Sequence, residues 1–400
     1  MKIAKRYGVR SGVSFLLLAA IVATVGYLAR ITEFSPVYFL SPAFAALMFA
    51  VSRWRRGIWL SPDILLALIL LFYVSLLNVG NYNNGSFINL SLGLFSYVTV
   101  RIYAKMLKIE RLCATFNAAT WVVIWLLSID TTIRLLAPSP PTADYVERLV
   151  QNQESFRYLY KFGGFMFADS NSTGLVALIF LFARIEINRP HRLRKQEYFL
   201  VAISIASLSY SVYLTIFVFL IFSLLRRRID RSNIAVKFLL IVVGIPFLSL
   251  FFQSFLENQS LNSKIYIANT ALQYLENSNS ITLLFGAGVG LGMEALTIFS
   301  HNLFLTYLIE TGLVGLAIIS AFFAYVACNS DRITVLAALL ASMSYFLYLG
   351  APFLFVPLAL VVTVKQKRRV LGAERKKIIA PHLGTGKISG IAGQYSPNNF

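Results

Sequence analysis

Tyr198 to Leu225, YFLVAISIASLSYSVYLTIFVFLIFSLL, holds no charged residue, yet basic residues close it on both sides: Arg192, Arg194 and Lys195 before it, Arg226, Arg227 and Arg228 after it. A helix that crosses a bilayer takes about 17 to 25 apolar residues, and the loops on the cytoplasmic side collect Lys and Arg. Two basic ends therefore belong on the same side, so the stretch has to enter and return as two short helices. Ser204, Ser207, Ser209 and Ser211 mark the bend, because hydroxyls satisfy backbone groups that an interrupted helix leaves open.

The remainder of the 400 residues follows the same grammar. Hydrophobic residues make up 58% of the chain and charged ones only 13%, with a mean hydropathy of +0.70. That is too apolar for a soluble domain. The apolar runs are continuous rather than alternating, which points to helices and not to barrel strands. The expected fold is all-α: one polytopic integral membrane domain over residues 1–364, with about twelve transmembrane helices including two short hairpins. The net charge of +19 is dispersed in short blocks between apolar runs, as cytoplasmic loops require, and excludes a nucleic-acid partner. Cys113 and Cys328 lie beside such blocks, so they read as reduced thiols without a disulfide.

Taken in order, Gly12–Ala29 goes out and Pro36–Val51 returns to Arg53, Arg55 and Arg56. Pro62–Leu77 goes out, Phe87–Ala104 returns to Lys105, Lys108 and Arg111, and Leu112–Leu136 goes out again. Asp130 and Arg134 near its outer end, one helical turn apart, read as a structural ion pair. Asn171–Ile185 leads back to a basic loop that holds Arg184, and Ala235–Phe252 goes out. Leu303–Ala327 returns, and Ile333–Val364 forms the second hairpin, bent at Gly350 and Pro352. Residues 365–400 read as a basic cytoplasmic tail, disordered from Gly372 on. Both termini are then cytoplasmic.

Two long outer loops stand apart, 137–165 with balanced charge and 253–300 with net charge minus two as far as Phe299. Function is expected there. No Walker A motif is present, and GAGVGLG (Gly286–Gly292) does not fit a dinucleotide fingerprint. Of the three histidines, His191, His301 and His382, only His301 faces outward, so a multi-histidine metal centre is excluded, and the chemistry would need neither metal nor cofactor. His301 can take or orient the proton of an alcohol. Arg148, Arg157, Lys161 and Lys264 can hold a departing pyrophosphate. Transfer of a glycan from a lipid pyrophosphate to a hydroxyl fits both. The alternative stays open that His301 anchors a helix at the interface and the cations are solvated loop charges.

Three segments together resemble the O-antigen polymerase and ligase superfamily of polytopic glycosyltransferases. They are KFGGFMFADSNSTGLVAL (Lys161–Leu178), NSKIYIANTALQYLENSNSITLLFGAGVGLG (Asn262–Gly292), and SHNLFLTYLIETGLVG (Ser300–Gly315) with His301-Asn302, Glu310, Gly312 and Gly315. The resemblance implies a membrane fold of the GT-C type in the bacterial inner membrane, with its active site facing the periplasm. It implies a metal-independent enzyme whose donor is an undecaprenyl-pyrophosphate-linked glycan and whose acceptor is a sugar hydroxyl near His301. Lys161, with Arg157 and Arg148 as competitors, and Lys264 would lie near the pyrophosphate, and Asn302 beside the substrate. A separate chain-length regulator would be a natural partner. The family more often has arginine at both cation positions, and lysine keeps the charge but loses bidentate geometry. Ser211 is followed by Val212, where many members carry arginine.

Other readings are carried alongside. A ligase would move the same glycan to lipid A-core, and polymerase is preferred because the outer loops are modest and two-part. A flippase for lipid-linked sugars would show internal repeats and charge spread through the core. A peptidoglycan-type polymerase would use an outer-loop carboxylate, for which Glu257, Glu276 and Glu294 are available. Asp169 and Asn171 read first as helix caps, Gly286, Gly288 and Gly290 as turn formers, and Glu310 as a buried packing contact.

Overall fold

The structure is a computed structural model that describes residues 2–28, 31–32, 34–53, 61–79, 85–139, 160–167, 169–188, 194–226, 259–297, 302–342 and 351–383. Among these residues it is all-helical. The helices are α1 (Lys2–Ala23), α2 (Val37–Arg53), α3 (Pro62–Leu77), α4 (Gly85–Lys105), α5 (Ile109–Leu136), α6 (Ser170–Asn188) and α7 (Lys195–Ala206). They continue with α8 (Tyr210–Arg226), α9 (Gln259–Asn277), α10 (Ser280–Phe285), α11 (Gly292–Leu296), α12 (Leu303–Cys328), α13 (Ile333–Ser342) and α14 (Pro352–Leu383).

Four of them, α4, α5, α6 and α12, are long and apolar enough to cross a membrane, and α1, α2 and α3 contain shorter apolar stretches. The four differ in surroundings. The most apolar window of α4 is 83% buried and that of α6 is 89%, against 44% for α5 and 39% for α12. α4 and α6 are thus the inner helices, and they can carry Arg101, Arg184 and Glu186 because neighbouring helices answer those groups. α5 and α12 turn side chains such as Trp125 and Leu313 outward, as lipid contact demands.

The long charge-free run is broken where the serines stand. α7 ends at Ala206 and α8 begins at Tyr210, with Leu208 between them at φ 55°. Ser207 Oγ donates to Ser204 O at 2.6 Å, and Tyr213 OH donates to Ile205 O at 2.6 Å, so the carbonyls freed by the break are occupied. Gly174 of α6 makes room: a Cβ there would lie 2.4 Å from Ser207 Oγ. α7 climbs along α6 from Glu197 beside Arg184 to Ser207 beside Gly174, and α8 descends from Val212 beside Gly174 to Phe219 beside Phe182. α13 ends at Ser342 and α14 starts at Pro352; Gly350, the other residue expected at the second bend, lies outside the described residues.

The two ends of the bundle differ in kind. At the basic end, Arg101 Nε meets Asp63 Oδ2 at 2.7 Å, and its other nitrogens donate to Thr363 Oγ1 at 2.8 Å and Gln366 Oε1 at 2.5 Å. This ties α3, α4 and α14 together. Arg184 Nε meets Glu197 Oε1 at 2.6 Å and donates to Asn117 Oδ1, joining α5, α6 and α7. Glu186 accepts the amides of Asp331 at 3.0 Å and Thr334 at 2.6 Å, which fastens the turn before α13 to α6.

These contacts correct the reading of Arg184 as a loop residue, for it is buried inside α6. Nor does the basic block at Lys365 end the last helix. α14 runs on to Leu383, with Lys367 Nζ donating to Lys105 O at 2.9 Å and Arg368 to Ile187 O at 2.5 Å. Cys113 and Cys328 are both free.

Candidate functional site at the loop end

The opposite end is built from irregular backbone. Residues 160–167, ahead of α6 in the chain, are gripped by α5. Arg134 donates to the carbonyls of Tyr160 and Ala206, the latter at 2.8 Å. Asp130 accepts Met166 N and Thr173 Oγ1, each at 2.8 Å. Asp130 and Arg134 thus take separate partners instead of forming the expected pair, because each faces a different stretch of chain that needs a hydrogen bond.

The pattern Lys161-Phe162-Gly163-Gly164 follows from this grip. Gly163 sits at φ 111°, where a Cβ would lie 2.9 Å from Ala137 O, and a Cβ on Gly164 would lie 2.7 Å from Asp130 Oδ1. Asp169 then caps α6, accepting Ser172 N at 3.1 Å. Lys161 is half-buried at the start of this segment.

The second piece is the glycine-rich turn. α12 is interrupted at Gly312, whose φ of 64° and ψ of −171° take it out of the helical region. Such a break deprives the preceding carbonyls of their acceptor role within the helix. The glycine turn takes it over: Ala287 N donates to Ile309 O at 2.8 Å and Gly288 N to Glu310 O at 3.0 Å. Tyr73 OH of α3 donates to Thr311 O at 2.7 Å.

The Glu310 side chain completes the junction by accepting Gly290 N at 2.7 Å and Gly292 N at 3.3 Å. It is buried, as expected of a packing contact. Gly286, Gly288 and Gly290 all have positive φ, 80°, 109° and 83°, so they are turn formers. A side chain on Gly286 would also collide with the Glu310 backbone at 2.4 Å. α9 lies over this junction, packing Ala271 with Leu296 of α11 and Ile309 of α12.

Among the residues expected to act, Asn302 caps α12, its Oδ1 accepting Leu305 N at 3.1 Å. Lys264 lies in the second turn of α9. His301, Arg148 and Arg157 lie outside the described residues. Of the three carboxylates of the rival peptidoglycan-type reading, Glu276 and Glu294 stand on exposed faces of α9 and α11, and Glu257 lies outside the described residues.

The sequence reading passed over two groups that organise this end, Tyr73 and the Arg134–Ala206 contact. A tyrosine in an apolar run gives no signal by itself. The arginine did give one, since an ionisable group near the end of a span needs a buried partner, but that partner is backbone. The chain matches no protein-family model and no curated protein.

Proposed function

We propose that this protein is an inner-membrane glycosyltransferase that polymerises lipid-linked oligosaccharide repeat units of the O-antigen or exopolysaccharide type. About twelve passes, four of them in two short hairpins, hold both termini in the cytoplasm and turn the loop end to the periplasm. The observation that carries this reading is the junction at Gly312. The glycine turn of the second outer loop is fixed by Glu310 to the same helix that Asn302 caps, one residue after His301. It lies at the end away from the basic networks. Irregular backbone at membrane depth is tolerated where it lines a cavity rather than lipid.

In the reaction, the acceptor hydroxyl oxygen forms a bond to the anomeric carbon of the donor as that carbon's bond to pyrophosphate oxygen breaks. His301 takes the hydroxyl proton, and polyprenyl pyrophosphate leaves with its charge met by Lys161, Lys264, Arg157 or Arg148. No further energy source is required, since the pyrophosphate is the leaving group.

The test is His301→Ala, expressed in a host lacking its own copy, with surface glycans resolved on a gel. Loss of the ladder, with single repeats on the final acceptor and normal amounts of membrane-inserted protein, is the expected outcome. Long chains stranded on the carrier lipid would make the protein a ligase, and units trapped in the inner leaflet a flippase. A normal ladder would overturn the role of His301.

A further inference from the structure

A cavity of about 720 Å³ opens at the basic end between α6, α8, α13 and the turn before α13. Its walls are apolar, formed by Phe182, Phe219 and Leu336, and its mouth carries Asp331, Arg332 and Lys365. Leu340 lines it two turns below the mouth, which gives a depth of about 10 Å along α13. The size falls within the roughly 300–1,000 Å³ of built ligand pockets.

The mouth is preorganised. Glu186 holds the amides of Asp331 and Thr334, Ser330 Oγ accepts Arg332 N at 3.1 Å, and Lys365 Nζ donates to Ser330 O at 2.8 Å. These bonds hold Arg332 at φ 71°, a conformation that costs energy for any residue with a side chain and that marks a functional turn when its surroundings enforce it. Lys365 pairs with Asp331. Arg332 is exposed and has no carboxylate partner among the described residues.

An apolar slot beneath a guanidinium with no carboxylate, at the end of the bundle where the basic residues gather, suits one chemistry. We infer that the cavity binds an anionic phospholipid of the leaflet at the basic end, with one acyl chain between Phe182, Phe219 and Leu336 and the phosphate on Arg332. A free phosphate would leave the apolar walls unused. A zwitterionic head group would bring a second cation against Arg332 and Lys365. Basic pockets between transmembrane helices on the cytoplasmic side are known to take anionic lipid head groups. This site is independent of the glycosyl-transfer reading.

The experiment uses the full chain, purified in detergent and stripped of lipid, titrated with dioctanoyl phosphatidylglycerol, dioctanoyl phosphatidylcholine or inorganic phosphate. Bound lipid is counted by native mass spectrometry and the melting midpoint is followed in parallel. The expected result is saturable binding of phosphatidylglycerol that raises the midpoint, about tenfold weaker binding of phosphatidylcholine, and no shift with phosphate. Arg332→Gln should weaken phosphatidylglycerol about tenfold, the loss of one charge-assisted contact. Arg332→Gly removes the same contact while relieving the strained φ, so it should melt higher without lipid and lose the lipid-induced shift. Equal binding of the two lipids, unchanged affinity in either variant, or a shift with phosphate alone would overturn the inference.

Discussion

At the basic end Arg101 faces Asp63 and Arg184 faces Glu197, charge against charge across helices, whereas at the loop end Asp130, Arg134 and Glu310 hold peptide groups. The difference follows from what each end contains. Regular helices satisfy their own backbone, so Arg101 and Arg184 are answered by side chains, and peptide groups are offered only where helices end, to Glu186, Lys367 and Arg368. A charge left alone in a low-dielectric interior is costly. Where the chain is irregular, with α12 broken at Gly312 and α7 ending at Ala206, amides and carbonyls are left open. Charged side chains are the strongest partners available for them. One end is a fastening between rods, and the other holds irregular backbone in a fixed shape.

The comparison breaks most visibly at Asp63. Both it and Arg101 are fully buried, and Tyr97 OH donates to the same Asp63 Oδ2 at 2.7 Å. Asp63→Ala leaves Arg101 without a counter-charge, and the expected loss is about 3–5 kcal/mol, read as a much lower melting midpoint in detergent and poor accumulation in the membrane. The double replacement Asp63→Leu with Arg101→Met removes the charge problem and should recover most of that loss. If the single variant melts like wild type, the basic end is not a fastening of paired charges.

How much of this was legible varied with the range of the interactions. The helical membrane class and the break among Ser207, Leu208 and Ser209 follow from composition, charge at the ends of runs, and local backbone chemistry. The glycines between α10 and α11 were readable as turn formers for the same reason. Arg184 was misplaced in a loop because its partners, Glu197 and Asn117, come from two other helices. The extension of α14 beyond Lys365 was hidden likewise, since Lys367 and Arg368 bond to carbonyls more than 150 residues earlier in the chain. The interruption at Gly312 left no mark on an apolar run, because the groups that satisfy it come from α3 and from the preceding turn.

Glu310 gives the next test. Replacing it by Ala leaves the amides of Gly290 and Gly292 without their acceptor, at a cost of about 1–3 kcal/mol. The loss should stay local. Hydrogen exchange over Gly286–Leu296 should accelerate while α4, which makes none of these hydrogen bonds, keeps its protection. Glu310→Gln retains an acceptor oxygen and should fall between wild type and Ala. Unchanged exchange in the Ala variant would mean that the turn is held by its backbone bonds to Ile309 and Glu310 alone.

Asp169 carries the smallest effect and the finest distinction. It is a carboxylate at the loop end, so under the proposed function it is open to two roles, capping α6 or touching substrate. The cap uses one acceptor oxygen and no charge in particular, since Asn and Asp serve alike at that position. Asp169→Ala should therefore lower stability by about 1 kcal/mol. Asp169→Asn should leave both the melting midpoint and glycan assembly near wild type. A substrate contact would behave differently, because an anion that orients a sugar hydroxyl or repels a misplaced pyrophosphate loses its function when neutralised even if the helix stays capped. An Asn variant that melts normally but assembles no glycan would move Asp169 from the backbone-holding group to the reacting one, and the division between the two ends would then run through the first turn of α6.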